Sequence, residues 1–156
     1  MNMISSQPLV EDSGYLTGSV GAKQGVVFIA SDSLACIEKT APVCDFLDLE
    51  VQLVTSDADL SGMLRTHRPI AVIADVDGAE QDGFHVMRTV ARFNRALPVL
   101  LLTDGDPVLM GAADAMQEMC GLRSVTLTSG FPAAGQIVAF LFSAGRSAGC
   151  MRLVPV

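Results

Sequence analysis

Residues 70–93 read IAVIADVDGAEQDGFHVMRTVARF, and this stretch decides the architecture. It opens on an unbroken apolar run, the pattern of a strand buried on both faces. Asp75 and Asp77 close that run. A polar loop follows. From Gly83 the spacing changes: Phe84, Val86, Met87, Val90 and Phe93 recur at helical intervals and form the inner stripe of an amphipathic helix. A buried strand that feeds such a helix is one βα unit of a parallel sheet.

The same unit repeats outward in both directions. Upstream, residues 26–31 (VVFIAS) and 51–56 (VQLVTS) read as strands rich in β-branched residues. A helix between them carries Leu34, Ile37, Val43, Phe46 and Leu47, with Asp32 or Ser33 as its cap. Pro42 is expected to kink that helix or restart it. Residues 57–69 form the next helix, with Leu60, Met63 and Leu64 inward and Pro69 at its end. Downstream, strands are expected at 98–104 and 124–129, and helices at 107–120 and 132–147. Pro107 suits the first turn of the fourth helix, and Gly121 its end.

Five strands alternating with five helices predict an α/β fold. The natural arrangement is a flavodoxin-like, doubly wound five-stranded parallel sheet of order 2-1-3-4-5, with helices on both faces. Ligand crevices in such sheets lie at the carboxyl ends of the strands. Asp32, Asp75, Asp77, Thr103, Asp104, Thr128 and Ser129 are therefore expected to converge. Residues 1–25, polar and rich in Ser and Gly, read as a flexible N-terminal arm. Residues 26–146 form the domain, and 147–156 a C-terminal tail.

Composition bounds the function. The chain has 156 residues, half of them apolar, which suits one globular domain. A formal charge of −7 leaves no basic footprint for nucleic acid or an anionic membrane. The absence of Trp also speaks against a base-stacking surface. Cys36, Cys44, Cys120 and Cys150 are scattered without a CxxC pair, as expected of reduced thiols in a cytosolic protein rather than a zinc cluster or disulfide framework. His67 and His85 have no ligand spacing. The first residues lack the apolar core of a signal peptide, and the run IVAFLF (137–142) is too short to span a bilayer. A cytoplasmic location is expected.

Residues 26–145 resemble the CheY-like receiver domain of bacterial response regulators. The stretch 70–93 is similar to that family's third strand, phospho-acceptor loop and the Asp-Gly opening its third helix. Asp75 falls on the acceptor, and Asp82-Gly83 on the Asp-Gly. The stretch 97–104 (LPVLLLTD) places Thr103 where the family keeps a phosphoryl-contacting Ser or Thr. The resemblance implies a two-component signalling domain, not an enzyme, with a sensor histidine kinase or phosphotransfer protein as its donor.

It also exposes departures. The family's Mg²⁺-holding acidic pair aligns with Ala30 and Ser31, its lysine with Ser129 and its switch aromatic with Thr126. These positions predict an atypical receiver with weak Mg²⁺ binding and weakened phosphorylation; Asp32, Asp77 and Asp104 are candidate replacement ligands. One alternative is a pseudo-receiver that acts only as an interaction module. A remote one is a haloacid-dehalogenase-like phosphatase, suggested by the DVD of residues 75–77. That reading places DxD on the wrong strand and lacks a later lysine, since the last in the chain is Lys39. The fourth and fifth helices carry more apolar residues than one buried stripe needs. Met110, Met116, Phe140 and Phe142 are therefore expected on a face that forms a homodimer or docks a partner.

Overall fold

The computed structural model describes residues 23–31, 33–55, 57–76 and 82–150. Ten elements alternate along the chain: β1 (Gly25–Ala30), α1 (Leu34–Phe46), β2 (Leu49–Leu53), α2 (Leu60–His67), β3 (Ala71–Asp75), α3 (Gly83–Phe93), β4 (Val99–Thr103), α4 (Pro107–Cys120), β5 (Val125–Ser129) and α5 (Ala134–Ser147). All strand pairs are parallel, in the order β2-β1-β3-β4-β5. The expected sheet is the observed one, with β3 at its centre.

Alternation along the strands divides the core in two. Phe28, Ala30, Val72, Ala74, Val99 and Leu101 face α2, α3 and α4, where they meet Leu64, Val86, Met87 and Ala113. Val27, Ile29, Ala71, Ile73, Leu100 and Leu102 face α1 and α5, where they meet Cys36, Cys44, Ile137 and Leu141. This division controls the site, because it decides which strand-end side chains share a face.

Local details follow residue chemistry. The Ser33 side chain accepts the Cys36 N–H and caps α1, while Asp59, Asp82 and Asp106 cap α2, α3 and α4. Gly121 closes α4 in the left-handed region. Contrary to expectation, α1 runs unbroken through Pro42. Pro42 and Glu38, whose carbonyl loses its partner, both lie on the exposed side of the helix, where solvent can satisfy it. Strand β2 starts two residues earlier than expected. Asp48, at φ 60°, turns the chain so that Leu49 pairs with Gly25.

Residues 23–25, assigned to the arm by composition, are tied to the sheet. The Gln24 N–H donates to the Asp48 carbonyl at 2.8 Å, its side chain donates to the Leu47 carbonyl at 3.1 Å, and Lys23 pairs with Asp48 at 3.7 Å. Polarity alone missed this, because backbone pairing does not depend on side-chain hydropathy. The rest of the arm and residues 151–156 of the tail lie outside the described residues. No helix among the described residues is long and apolar enough to cross a membrane.

Candidate functional site

Asp75 is the last residue of the central strand, and its side chain opens into a cleft of about 300 Å³ at the carboxyl edge of the sheet. The cleft is lined by Ser33, Cys36, Asp75, Leu102, Thr103, Asp104, Gly130 and Phe131. The strand ends therefore bring Asp75, Thr103 and Asp104 together, whereas Thr128 and Ser129, also expected to converge there, are not among the residues lining the cleft.

Two features fix the position of Asp75. The first is α3. A Cβ on Gly83 would lie 2.6 Å from the Asp75 carbonyl oxygen and 2.7 Å from Val76 Cα. Only glycine lets the helix start so close to β3, which is the physical content of the Asp82-Gly83 pair. Asp82 at the same time accepts the Phe84 N–H at 2.9 Å.

The second is Ser31. Its hydroxyl donates to Asp75 Oδ2 at 2.6 Å and accepts the Ser33 N–H at 3.0 Å. Ser31 continues the face of Val27 and Ile29, which is also the face of Ala71, Ile73 and Asp75. Ala30 lies on the opposite face, fully buried among Val54, Leu60 and Val86. Of the two positions aligned with the acidic pair, only Ser31 faces the site. An acid at position 30 would enter the apolar core, so position 30 is a packing position.

Cys36 lies beside this pair. Burial pushes its thiol above the ordinary range; hydrogen bonds to Ser31 and Thr40 act the other way, and the nearby Asp75 charge adds to the rise. It therefore stays a protonated wall of the cleft at neutral pH.

Thr103 is buried at the rim. Its hydroxyl donates to the Thr128 carbonyl at 2.9 Å and accepts the Gly105 N–H at 3.0 Å. A hydroxyl has one hydrogen to give, so contact with a phosphoryl oxygen requires Thr103 to release Thr128. Gly130 N–H donates to the Thr103 carbonyl at 2.7 Å, which ties the ends of β4 and β5. Ser129 sits exposed at the end of β5, and a Cβ on Gly105 (φ 92°) would come within 2.6 Å of its Oγ. Thr126 is exposed on the edge strand. Asp104 is exposed on the lip of the cleft. Asp32 and Asp77 lie outside the described residues.

Compared with solved structures, the chain is similar to a response regulator receiver domain protein from Clostridium thermocellum, at 17% identity and TM-score 0.62 over 80% of this chain and 97% of that one. It is similar to a CheY-like receiver domain protein from Methanospirillum hungatei, at 12% identity and TM-score 0.63 over 80% of this chain and 96% of that one. A third likeness is to the N-terminal signal receiver domain of a two-component response regulator from Bacteroides fragilis, at 20% identity and TM-score 0.59 over 78% of this chain and 96% of that one. This is the CheY-like receiver fold. No family model matches the chain, and no curated protein does.

Within this receiver fold the described residues make a poor cage for Mg²⁺. The ion takes an octahedron of oxygens. Here the Ala30 side chain offers none, the Ser31 hydroxyl is engaged with Asp75, and among the described residues only Asp75 and Asp104 bring carboxylates to the cleft. Among the described residues no three His, Cys, Asp or Glu side chains gather as a metal group.

The apolar face of α4 and α5 differs from its expected form. Met110, Met116, Phe140 and Phe142 are all half-buried, and Met116, Phe140 and Phe142 pack against the core. The Arg146 guanidinium also lies 5.9 Å from the centre of the Phe142 ring. The outward apolar surface belongs to α4, where Val108 is 77% and Met119 80% exposed. Reasoning from the sequence alone also gave no role to Cys36 or Phe131, and treated Ser31 only as a lost acid.

Proposed function

We propose that this chain is a receiver-type signalling domain that accepts a phosphoryl group on Asp75 from a sensor histidine kinase or phosphotransfer protein, with metal-assisted transfer weakened. The supporting observation is the placement of Asp75 at the carboxyl end of the central strand, in a cleft shared with Thr103. In this reading one Asp75 oxygen forms a bond to phosphorus while the donor's P–N bond breaks. The imidazole leaves with the electron pair and gains a proton from solvent. The domain itself turns over no substrate, and its location is cytoplasmic. Output passes to a second copy or a protein partner through α4, β5 and α5; the exposure of Val108 and Met119 on α4 favours this face.

Treatment with acetyl phosphate followed by mass spectrometry tests the assignment. Here the P–O bond to acetate breaks instead. The expected result is a gain of one phosphoryl group on the wild type and none on Asp75→Asn. No gain on the wild type selects the second reading, a phosphorylation-independent interaction module. That reading is favoured by Ser31 and Ser129 standing where an acid and a lysine would act, and by the commitment of the Thr103 hydroxyl to Thr128. The phosphatase reading finds no lysine among the described residues that line the cleft.

Magnesium binding should be weak, because few carboxylates offset the dehydration of the ion. In a calorimetric titration the dissociation constant is expected in the millimolar range or above. Ser31→Asp adds a carboxylate on the correct face and should tighten it several-fold. A wild-type dissociation constant well below millimolar would contradict this account.

A further inference from the structure

The geometry points to Lys39, on α1, as the positioning cation for an anionic ligand at Asp75; the inference rests on the reading of Asp75 as phosphoryl acceptor. The cleft contains two carboxylates, Asp75 and Asp104, and no cationic side chain among the described residues lining it. A phosphoryl group would add further negative charge to a chain that already carries −7. Stable occupancy needs a positive partner. The end of β5 does not supply one, since it presents Ser129 and Gly130.

Lys39 approaches from the other wall. It lies three residues beyond Cys36 on α1, on the same side of the helix, and Cys36 lines the cleft. Helical side chains lean toward the helix N-terminus. For α1 that terminus is Ser33, itself part of the cleft wall. The lysine stem is thus aimed at the mouth of the site. Its ammonium lies 5.2 Å from the centre of the Phe131 ring, and Phe131 also lines the cleft, in the loop that follows β5. A cation–π contact at an exposed position is weak enough to be exchanged for a stronger anionic partner. Phe131 parks the ammonium beside the cleft, and the arriving phosphoryl oxygen draws it in. The charge that Ser129 cannot provide from β5 arrives from α1.

The sequence contains two lysines, which gives the experiment an internal control. Lys23 is engaged with Asp48 beside the start of β1, at the opposite edge of the sheet. Beryllofluoride, a phosphoryl mimic, is titrated in magnesium buffer into the wild type, Lys39→Gln, Lys39→Arg and Lys23→Gln, with labelling by acetyl phosphate run in parallel. Lys39→Gln should weaken beryllofluoride binding by about tenfold or more, the scale of a charge-assisted hydrogen bond. Lys39→Arg should restore most of it, and Lys23→Gln should match the wild type. Equal losses in the two glutamine variants would reduce the effect to net charge and overturn the assignment. Unchanged binding by Lys39→Gln, with the wild type still labelled on Asp75, would overturn it and leave the acceptor reading intact. A wild type that neither binds nor is labelled would overturn both.

Discussion

Gly83→Val should destabilise the protein by several kcal/mol or prevent its folding. A side chain at this position meets backbone rather than the flexible end of another side chain: the Asp75 carbonyl at 2.6 Å and Val76 Cα at 2.7 Å. Neither can move unless α3 separates from β3. Even Gly83→Ala should cost about 1–3 kcal/mol, the usual scale of overpacking, although alanine favours a helix by roughly 1 kcal/mol. Gly111 provides the contrast. It lies within α4 with nothing inside 4 Å of an added Cβ. Gly111→Ala should therefore stabilise by up to about 1 kcal/mol. Urea denaturation of the variants measures both. Gly83→Ala as stable as the wild type would show that α3 does not rest against the end of β3.

Alkaline pH should destabilise the protein through Cys44. Burial, with a smaller contribution from the charge of Asp45, raises this thiol from 9.0 to about 12. Below about pH 9 the thiol is protonated in both folded and unfolded chains, and its contribution to stability is complete. Above that, the unfolded chain ionises while the folded one does not, so unfolding releases a proton. Stability then falls by roughly 1.4 kcal/mol per pH unit until the folded thiol also titrates. Cys36 is shifted in the same direction and adds to the loss. Denaturation of wild type and Cys44→Ala at about pH 8 and about pH 10 separates this thiol from other alkaline groups. The wild type should lose more stability over that interval. Parallel losses would place Cys44 in contact with solvent.

Both predictions bear on β3, the strand that carries Asp75. Gly83 sets how closely α3 approaches its end, and Cys44 belongs to the apolar layer beneath α1 that supports its other face. The cleft therefore depends on packing from both sides of the sheet. A change that loosens either layer should reach the geometry around Asp75 without touching it.

Much of this was legible in the sequence. Apolar runs such as residues 70–74 and the stripe from Phe84 to Phe93 determine burial period directly, and alternating βα units leave few topologies open. The sheet order, the convergence of Asp75, Thr103 and Asp104, the start of α4 at Pro107 and its end at Gly121 all follow from such local signals. Strand parity could also have separated Ala30 from Ser31, since 27, 29 and 31 share a face. Other features required the folded chain. The Ser31–Asp75 hydrogen bond joins residues 44 apart, and its existence depends on the register of β1 against β3. The commitment of Thr103 to Thr128 depends on how β5 docks on β4. The half-burial of Phe140 and Phe142 depends on how far α5 settles onto the sheet. The contact between Lys39 and Phe131 depends on the spacing of α1 from the loop after β5. Sequence periodicity specifies which side of an element turns inward, because that is a property of one segment. Tertiary packing alone decides which atoms meet, because distance between segments is set by the volumes of all the side chains between them.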